Sequence, residues 1–197
     1  MGEMIKMVVV LTVLSIVSGG SLAWLKDFTE PKIENQVMNL VKGPAIRQIL
    51  QAAENDPVED RFKIMDGDVE RNIFVGVFDG AANTVVVESV ANGFADKVGM
   101  VVAINMADDT LRGMAVTTHK ETPGLGAMAK DDPNFAAQFT DKVTTNPFGV
   151  TNDGGQISAL SGATITSRAV CSGVNKAVEI YSRLKPQLEE QIKGMGK

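Results

Sequence analysis

The feature that most constrains this chain is an uncharged apolar segment near its N-terminus, the nineteen residues from Met7 to Leu25. As a helix, a segment of this length spans about 28 Å at about 1.5 Å per residue, which matches the hydrocarbon core of a bilayer. The segment is apolar on every face, which argues against the core helix of a globular domain. Trp24 stands at its far end, where an indole ring suits the level of the lipid headgroups. The pattern therefore predicts a single transmembrane helix and assigns residues 1–25 to a membrane anchor.

A cleaved signal peptide is the alternative for this segment, because Ser21 and Ala23 are small residues of the kind that precede a cleavage site. The apolar run is long for a signal peptide, so the sequence favours a retained anchor. Orientation does not follow from charge, since Lys6 precedes the segment while Lys26 and Lys32 follow it.

The composition of the whole chain excludes several classes of protein. Its formal net charge of −5, without a dense run of Lys or Arg, argues against nucleic acid as a partner. Its one cysteine, Cys171, excludes an internal disulfide framework and a CxxC metal or redox pair. Its one histidine, His119, excludes a His-rich metal site, and we assign neither a metal ligand nor a catalytic residue. Residues 26–197 suffice for a single domain with its own core.

Period-two patterns of β-branched residues predict strands in the middle of the chain. Strands over 73–78 and 84–90 flank a turn at 79–83, and strands over 100–105 and 111–117 flank a second turn. Each pair of strands is expected to form an antiparallel hairpin.

Helical patterns lie on either side of these strands. Apolar residues over 33–50 have helical spacing, with an expected interruption at Gly43-Pro44. A short helix is expected over 134–140, and a long one from about Ser167 to Ile192. Helices that flank antiparallel strands predict an α+β fold for this domain. The apolar face expected for the last helix consists of Val170, Val174, Val178, Tyr181, Leu184 and Leu188.

The segment Ser161–Ser167, just before the last helix, consists almost entirely of small and hydroxylated residues. One explanation is a helix start with several candidate caps, since Ser161, Thr164, Thr166 or Ser167 could each accept from a backbone N–H. The other is an anion site, in which free N–H groups, a glycine and the helix dipole hold a phosphate. The residues alone leave both explanations open.

The segment His119–Gly126, directly after the second hairpin, ends in Thr-Pro-Gly-Leu-Gly. This sequence imposes an irregular turn that can bring backbone N–H groups to a flat ligand. Taken alone, an ordinary turn that leaves a sheet, with a solvated His-Lys-Glu run, is the simpler explanation.

Taken together, these segments make the chain resemble a known family. It shares three features with the G subunit (RnfG, or RsxG) of the ion-translocating ferredoxin:NAD oxidoreductase complex, called Rnf or Rsx. They are the N-terminal membrane helix, the segment His119–Gly126 with its Glu-Thr-Pro-Gly-Leu-Gly, and the segment Ser161–Ser167, which begins with Ser-Gly-Ala-Thr and enters a terminal helix. The short hairpin over Met100–Thr117 is also similar. The resemblance covers essentially the whole chain, and the FMN-binding domain of this family also occurs in NqrC, which belongs to the Na⁺-pumping NADH:quinone reductase.

The resemblance implies a covalently bound flavin. In this family a flavin transferase moves FMN from FAD onto the threonine of the Ser-Gly-Ala-Thr motif, through a phosphoester bond. The corresponding acceptor here is Thr164, with Thr166 as the second candidate. The position three residues before the motif serine is usually acidic in the family, and here it is Ser158. The cofactor-binding residues implied in this way are Ser161, Gly162, Ala163, Thr164, Thr166, Glu121, Thr122, Gly124, Leu125 and Gly126.

The resemblance also implies electron carriage within a translocase, rather than catalysis by this chain alone. The chain would be a single-pass protein of the cytoplasmic (inner) membrane, with its flavin domain on the periplasmic or outer side. It would relay electrons between ferredoxin and NAD while the complex moves Na⁺ or H⁺. Its partners would be the other Rnf membrane subunits, iron–sulfur subunits, the flavin transferase during maturation, and membrane lipid. An NqrC-like protein that passes electrons towards quinone and an anchored FMN-binding sensor domain are the alternatives.

Overall fold

A computed structural model describes residues 2–194, apart from the side chains of residues 31, 34 and 35. This part of the chain divides into two compact units, one up to Leu40 and one from Val41 onward. The first unit is almost entirely one helix, α1 (Gly2–Val37). Over Gly2–Glu30 it is long and apolar enough to cross a membrane, and it is the one such helix within residues 2–194.

The helical pattern over 33–50 is divided earlier than expected. Helix α1 continues to Val37, a π-helical turn covers Met38–Lys42, and α2 (Gly43–Ile49) follows. The irregular turn therefore ends just before Gly43-Pro44, where the sequence pattern placed the interruption. Pro44 lies in the first turn of α2, directly after the π-helical turn.

The second unit is built on an antiparallel sheet of five strands that lie side by side in sequence order. Both predicted hairpins are confirmed, and each of their strands is longer than its pattern indicated. The turn of the first hairpin is Asp79-Gly80, whose φ angles of 54° and 70° suit a two-residue type I′ turn. The strands are β1 (Arg61–Asp66), β2 (Val69–Phe78), β3 (Ala81–Asn92), β4 (Lys97–Asn105) and β5 (Thr110–Thr118).

Strand β1 has no counterpart among the predicted strands. It lies at one edge of the sheet and pairs only with β2. Ile64 is its one buried residue, and polar and apolar residues alternate only over Arg61–Ile64, which is a short signal for a half-buried strand.

Helix α5 (Thr164–Ile192) packs on the sheet and closes the core. It begins three residues before the predicted Ser167, and within its predicted apolar face Val178 alone is half-buried rather than buried. The short helix predicted over 134–140 is observed as α4 (Pro133–Ala137), next to α3 (Met128–Asp131). An antiparallel sheet with flanking helices confirms the predicted α+β class.

The side chain of Asn175 is one of those that hold the long connection from α4 to α5 against α5. Asn175 accepts from the backbone N–H of Phe148 at 2.7 Å and donates to the carbonyl oxygen of the same residue at 2.8 Å. This pair of hydrogen bonds steadies the connection that leads to the segment Ser161–Ser167 and the first turn of α5.

Candidate functional site

Three segments at one end of the sheet enclose a cleft of about 380 Å³. They are the β3–β4 loop, the turn after β5 and the first turn of α5. The cleft volume lies within the range of about 300–1,000 Å³ that is usual for small-molecule and cofactor sites. The lining residues are Phe94, Glu121, Thr122, Leu125, Gly126, Gly162, Ala163, Thr164, Ile165 and Thr166.

The first turn of α5 presents uncapped backbone amides. Within residues 2–194 no side chain caps this helix, and its first N–H with an acceptor is that of Ser167, bonded to Ala163 O at 3.0 Å. The Ser167 hydroxyl donates to Ala163 O and accepts from Leu160 N–H, both at 3.0 Å, so it braces the approach to the helix. The amides of residues 164–166 are therefore available to a ligand. This arrangement does not match the explanation by side-chain caps, one of the two left open by the sequence.

The hydroxyl groups of Thr164 and Thr166 have different surroundings. Thr166 is 1% exposed, and its Oγ1 donates to Glu121 Oε2 at 2.5 Å. Thr164 is half-buried, lines the cleft, and makes no side-chain hydrogen bond within the described part of the chain. Thr164 is therefore the threonine of this turn whose hydroxyl is free for chemistry.

The Glu121 side chain is buried in the cleft wall, with 5% of the residue exposed. Its Oε1 accepts from the backbone N–H of Ala95 at 3.0 Å, and its Oε2 accepts from the Thr166 hydroxyl. Burial by itself would raise the pKa of this carboxyl. The hydrogen bonds from Thr166 and from the amides of residues 94–96 outweigh burial and lower the pKa below its ordinary value. Glu121 is therefore an ionised, hydrogen-bonded part of the wall.

Glycine is required where the turn after β5 approaches α5. Gly162 has a φ of +72°, and a Cβ atom at this position would lie 3.0 Å from Leu125 Cδ2. Gly124 has a φ of +73°, a conformation that other residues rarely adopt. These two glycines let the two segments turn sharply and lie close together.

Eight of the ten residues that the sequence resemblance implies for the site line this cleft. Ser161 and Gly124 belong to the same two turns but do not line it. Phe94 and Ile165 line the cleft without having been singled out in the sequence. Phe94 is 68% exposed, and a large aromatic side chain in an otherwise small and polar loop was the signal available for it. Ile165 lies inside the segment Ser161–Ser167 and is conspicuous only as its one large apolar residue.

Two ion pairs lie beside the cleft, whereas the Glu121 carboxylate in its wall is bonded to Ala95 and Thr166 and has no cationic partner among the described residues. Lys120 and Asp96 form an ion pair at 2.6 Å that joins the turn after β5 to the β3–β4 loop. Arg168, one turn into α5, pairs with Asp153 at 2.6 Å. The described lining contains no Lys or Arg, so an anion in the cleft would be held mainly by backbone amides.

Comparison with known proteins agrees with this geometry. Residues 93–179 match the family model of the FMN-binding domain, a range that contains all three walls of the cleft. The G subunit of the ion-translocating oxidoreductase complex of Methanosarcina acetivorans is 34% identical, over 91% of this chain and 95% of that protein. The G subunit of the Na⁺-translocating ferredoxin:NAD⁺ oxidoreductase complex of Acetobacterium woodii is 33% identical, over 91% of this chain and 92% of its own.

Among solved structures, the fold is similar to that of the C subunit of the Na⁺-translocating NADH-quinone reductase from Parabacteroides distasonis. The TM-score is 0.59 at 19% identity, over 77% of this chain and 94% of that one. This likeness concerns the fold, while the sequence relatives extend over nine-tenths of the chain. The chain therefore belongs to the family of G subunits of ion-translocating oxidoreductase complexes, and it contains an FMN-binding domain.

Proposed function

We propose that this chain is the electron-carrying G subunit of a membrane complex that couples electron transfer between ferredoxin and NAD to the movement of Na⁺ or H⁺. Family membership supports this function, because the relative at 33% identity is named for a Na⁺-translocating ferredoxin:NAD⁺ oxidoreductase complex and the one at 34% for an ion-translocating oxidoreductase complex. The alternative of an NqrC-like protein is supported only by fold, at 19% identity. Co-purification with iron–sulfur subunits of a membrane complex would distinguish both the G subunit and an NqrC-like subunit from an isolated sensor domain.

The cleft fits FMN in its chemistry as well as in its volume. Phe94, Leu125 and Ile165 provide apolar surface for a ring system, and the uncapped amides at the start of α5 suit a phosphate. Bound FMN would supply the redox chemistry, because it accepts and releases one or two electrons. The protein's part is to hold the phosphate at the helix start and to shield one side of the cofactor from water.

The single observation that carries covalent attachment is the contrast between the two threonines. Thr164 has a free hydroxyl in the cleft, whereas the Thr166 hydroxyl is buried and committed to Glu121. During maturation, Thr164 Oγ1 would form a bond to the phosphorus of the FMN half of FAD as the pyrophosphate bond breaks. AMP would leave, and the hydroxyl proton would pass to the flavin transferase. An external enzyme is needed because a threonine hydroxyl is a weak nucleophile and no base contacts Thr164 among the described residues.

The N-terminal helix makes the chain a membrane-anchored protein, and we propose that the flavin domain lies on the periplasmic or outer side. The other membrane and iron–sulfur subunits of the complex would be its partners, with lipid around α1. The segment Met7–Leu25 carries no ionisable residue, so α1 by itself offers no path for an ion.

The test is the mass of the full-length chain, purified from a host that contains the flavin transferase. We expect an added mass equal to FMN minus water. Trypsin should leave the site on the peptide Val143–Arg168, within which there is no Lys or Arg before the final residue, and fragmentation of this peptide should place the added mass on Thr164.

Two threonine variants make this test specific. Thr164→Val keeps the β-branched shape but removes the atom that carries the ester, so covalent flavin should be lost while the fold remains. Thr166→Val should retain covalent flavin. The opposite pair of results would move the attachment to Thr166, and retention of flavin in both single variants would reject attachment by either threonine alone.

A further inference from the structure

The Glu121 carboxylate touches all three segments that form the cleft. It belongs to the turn after β5, accepts from Ala95 in the β3–β4 loop, and accepts from Thr166 in α5. Each of these segments supplies lining residues, and Thr166 lies only two positions after Thr164. One side chain therefore joins the wall that carries Phe94 to the turn that carries the free threonine.

Two glycines pack the carboxylate so closely that it has little freedom to move. A Cβ atom at Gly93 would lie 2.5 Å from Glu121 Oε1, and a Cβ atom at Gly126 would lie 2.7 Å from both Glu121 Oε2 and Thr166 Oγ1. Main chain therefore faces both oxygens of the carboxylate. In close-packed surroundings of this kind, a displacement of Glu121 would displace the neighbouring segments as well.

We infer that Glu121 is a positioning residue that orients the first turn of α5 through Thr166 and the β3–β4 loop through Ala95. It thereby holds the Thr164 hydroxyl facing the cleft while the flavin is being attached. The inference rests on the proposed attachment of FMN to Thr164, and it gives Glu121 no bond to the reacting atoms. A buried carboxylate is costly to desolvate, and its hydrogen bonds recover that cost only in one arrangement of the three segments.

The test compares rates of flavin loading for full-length chains in detergent, supplied with the flavin transferase and FAD and followed by intact mass. Thr166→Val removes the donor to Glu121, whereas Thr166→Ser keeps it. We expect loading of Thr166→Val to be slower by about ten-fold or more, because small misplacements of reacting groups have effects of this size or larger. Thr166→Ser should load at close to the wild-type rate.

Thr84→Val is the matched control, because Thr84 is also fully buried and donates its hydroxyl to Asn83, near the start of β3. It should load at the wild-type rate. If it slows as much as Thr166→Val does, the effect is general destabilisation and the inference is wrong. The visible circular dichroism of the loaded flavin is a second measurement. It should change in Thr166→Val and not in Thr84→Val, since only the first loosens the cleft wall.

Glu121→Gln keeps the length of the side chain and carries the test if Thr166→Val does not fold. Slow loading and an altered flavin signal in this variant support the inference. Wild-type loading and an unchanged signal overturn it, while FMN on Thr164 remains established by the wild-type chain. Absence of added mass on the wild-type chain overturns the proposed attachment, and the inference with it.

Discussion

The two long helices of this protein have similar lengths but depend on different surroundings. Helix α1 has 36 residues, and its side chains are exposed from Gly2 to Phe28. Helix α5 has 29 residues and buries one face in the core of the domain. On its outer side, Arg183 pairs with Asp66 and Lys185 with Asp109.

This difference shows that apolar content alone does not say what stabilises a helix. The apolar residues of α1 cover its whole circumference, which suits lipid, whereas those of α5 form one stripe, which suits a sheet. Substitutions of the same kind in the two helices should therefore have different effects on the free energy of unfolding of the FMN-binding domain.

The largest effect is expected in the buried stripe of α5. Leu184 is 2% exposed, so Leu184→Ala should lower the free energy of unfolding by about 2–5 kcal/mol through lost burial and a cavity. Leu14→Ala in α1 is the matched control and should leave the free energy of unfolding unchanged, because Leu14 is exposed. Urea unfolding in detergent, followed by circular dichroism, measures both. Equal losses in the two variants would contradict the division between the helices.

A smaller effect is expected where α5 is tied to the β1–β2 hairpin. Asp66 accepts from Arg183 and Arg71, each at 2.7 Å, and these hydrogen bonds lower the pKa of its carboxyl well below the ordinary value. The stabilisation is therefore present above about pH 4, the ordinary pKa of Asp, and is lost as the pH falls through the lowered value.

Asp66→Asn should cost about 1.5–3 kcal/mol at neutral pH, the usual range for hydrogen bonds to a charged group. The difference from the wild-type chain should shrink in acid, as the wild-type carboxyl becomes protonated. Urea unfolding at several pH values measures this, with Asp68→Asn in the exposed β1–β2 turn as the control. A difference that stays constant down to the lowest accessible pH would exclude an ionised Asp66 as its source.

The smallest effect is expected from removing most of the first helix. A chain that begins at Lys26 should leave the membrane fraction, take up FMN when the transferase is present, and unfold at the same urea concentration as the full-length chain. We expect the stability to be unchanged because the deleted side chains are exposed. Persistence in membranes, or a loss of stability as large as that of Leu184→Ala, would show that residues 1–25 do more than anchor the chain.

The fold was predictable wherever the sequence carries strong local signals. The type I′ turn at Asp79-Gly80 and the runs of β-branched residues beside it identify the first hairpin, and the apolar stripe identifies α5. Strand β1 has a weaker signal, because its alternation covers only Arg61–Ile64 and a single one of its residues is buried, while its full length is defined by backbone pairing with β2. Backbone pairing does not depend on side-chain identity, so it leaves little trace in a sequence.

The site was predictable as two segments but not as a cleft. The sequence identified Thr164 and Thr166 as candidates for attachment without separating them by their own chemistry. What distinguishes them is Glu121, which is 45 residues away from Thr166 in the chain and accepts a hydrogen bond from the Thr166 hydroxyl. Phe94 likewise reaches the cleft only because the β3–β4 loop lies beside the start of α5.

By itself, then, the sequence determined the membrane helix, the hairpins, the terminal helix and the two segments that we propose bind the cofactor. These depend on the period of apolar residues, on turn chemistry and on short motifs, all of which are local properties of the chain. Tertiary structure alone decided which hydroxyl is free, where the Glu121 carboxylate lies and which apolar side chains complete the cleft. The reason is that burial and hydrogen-bond partners depend on segments that meet only when the sheet and α5 pack together.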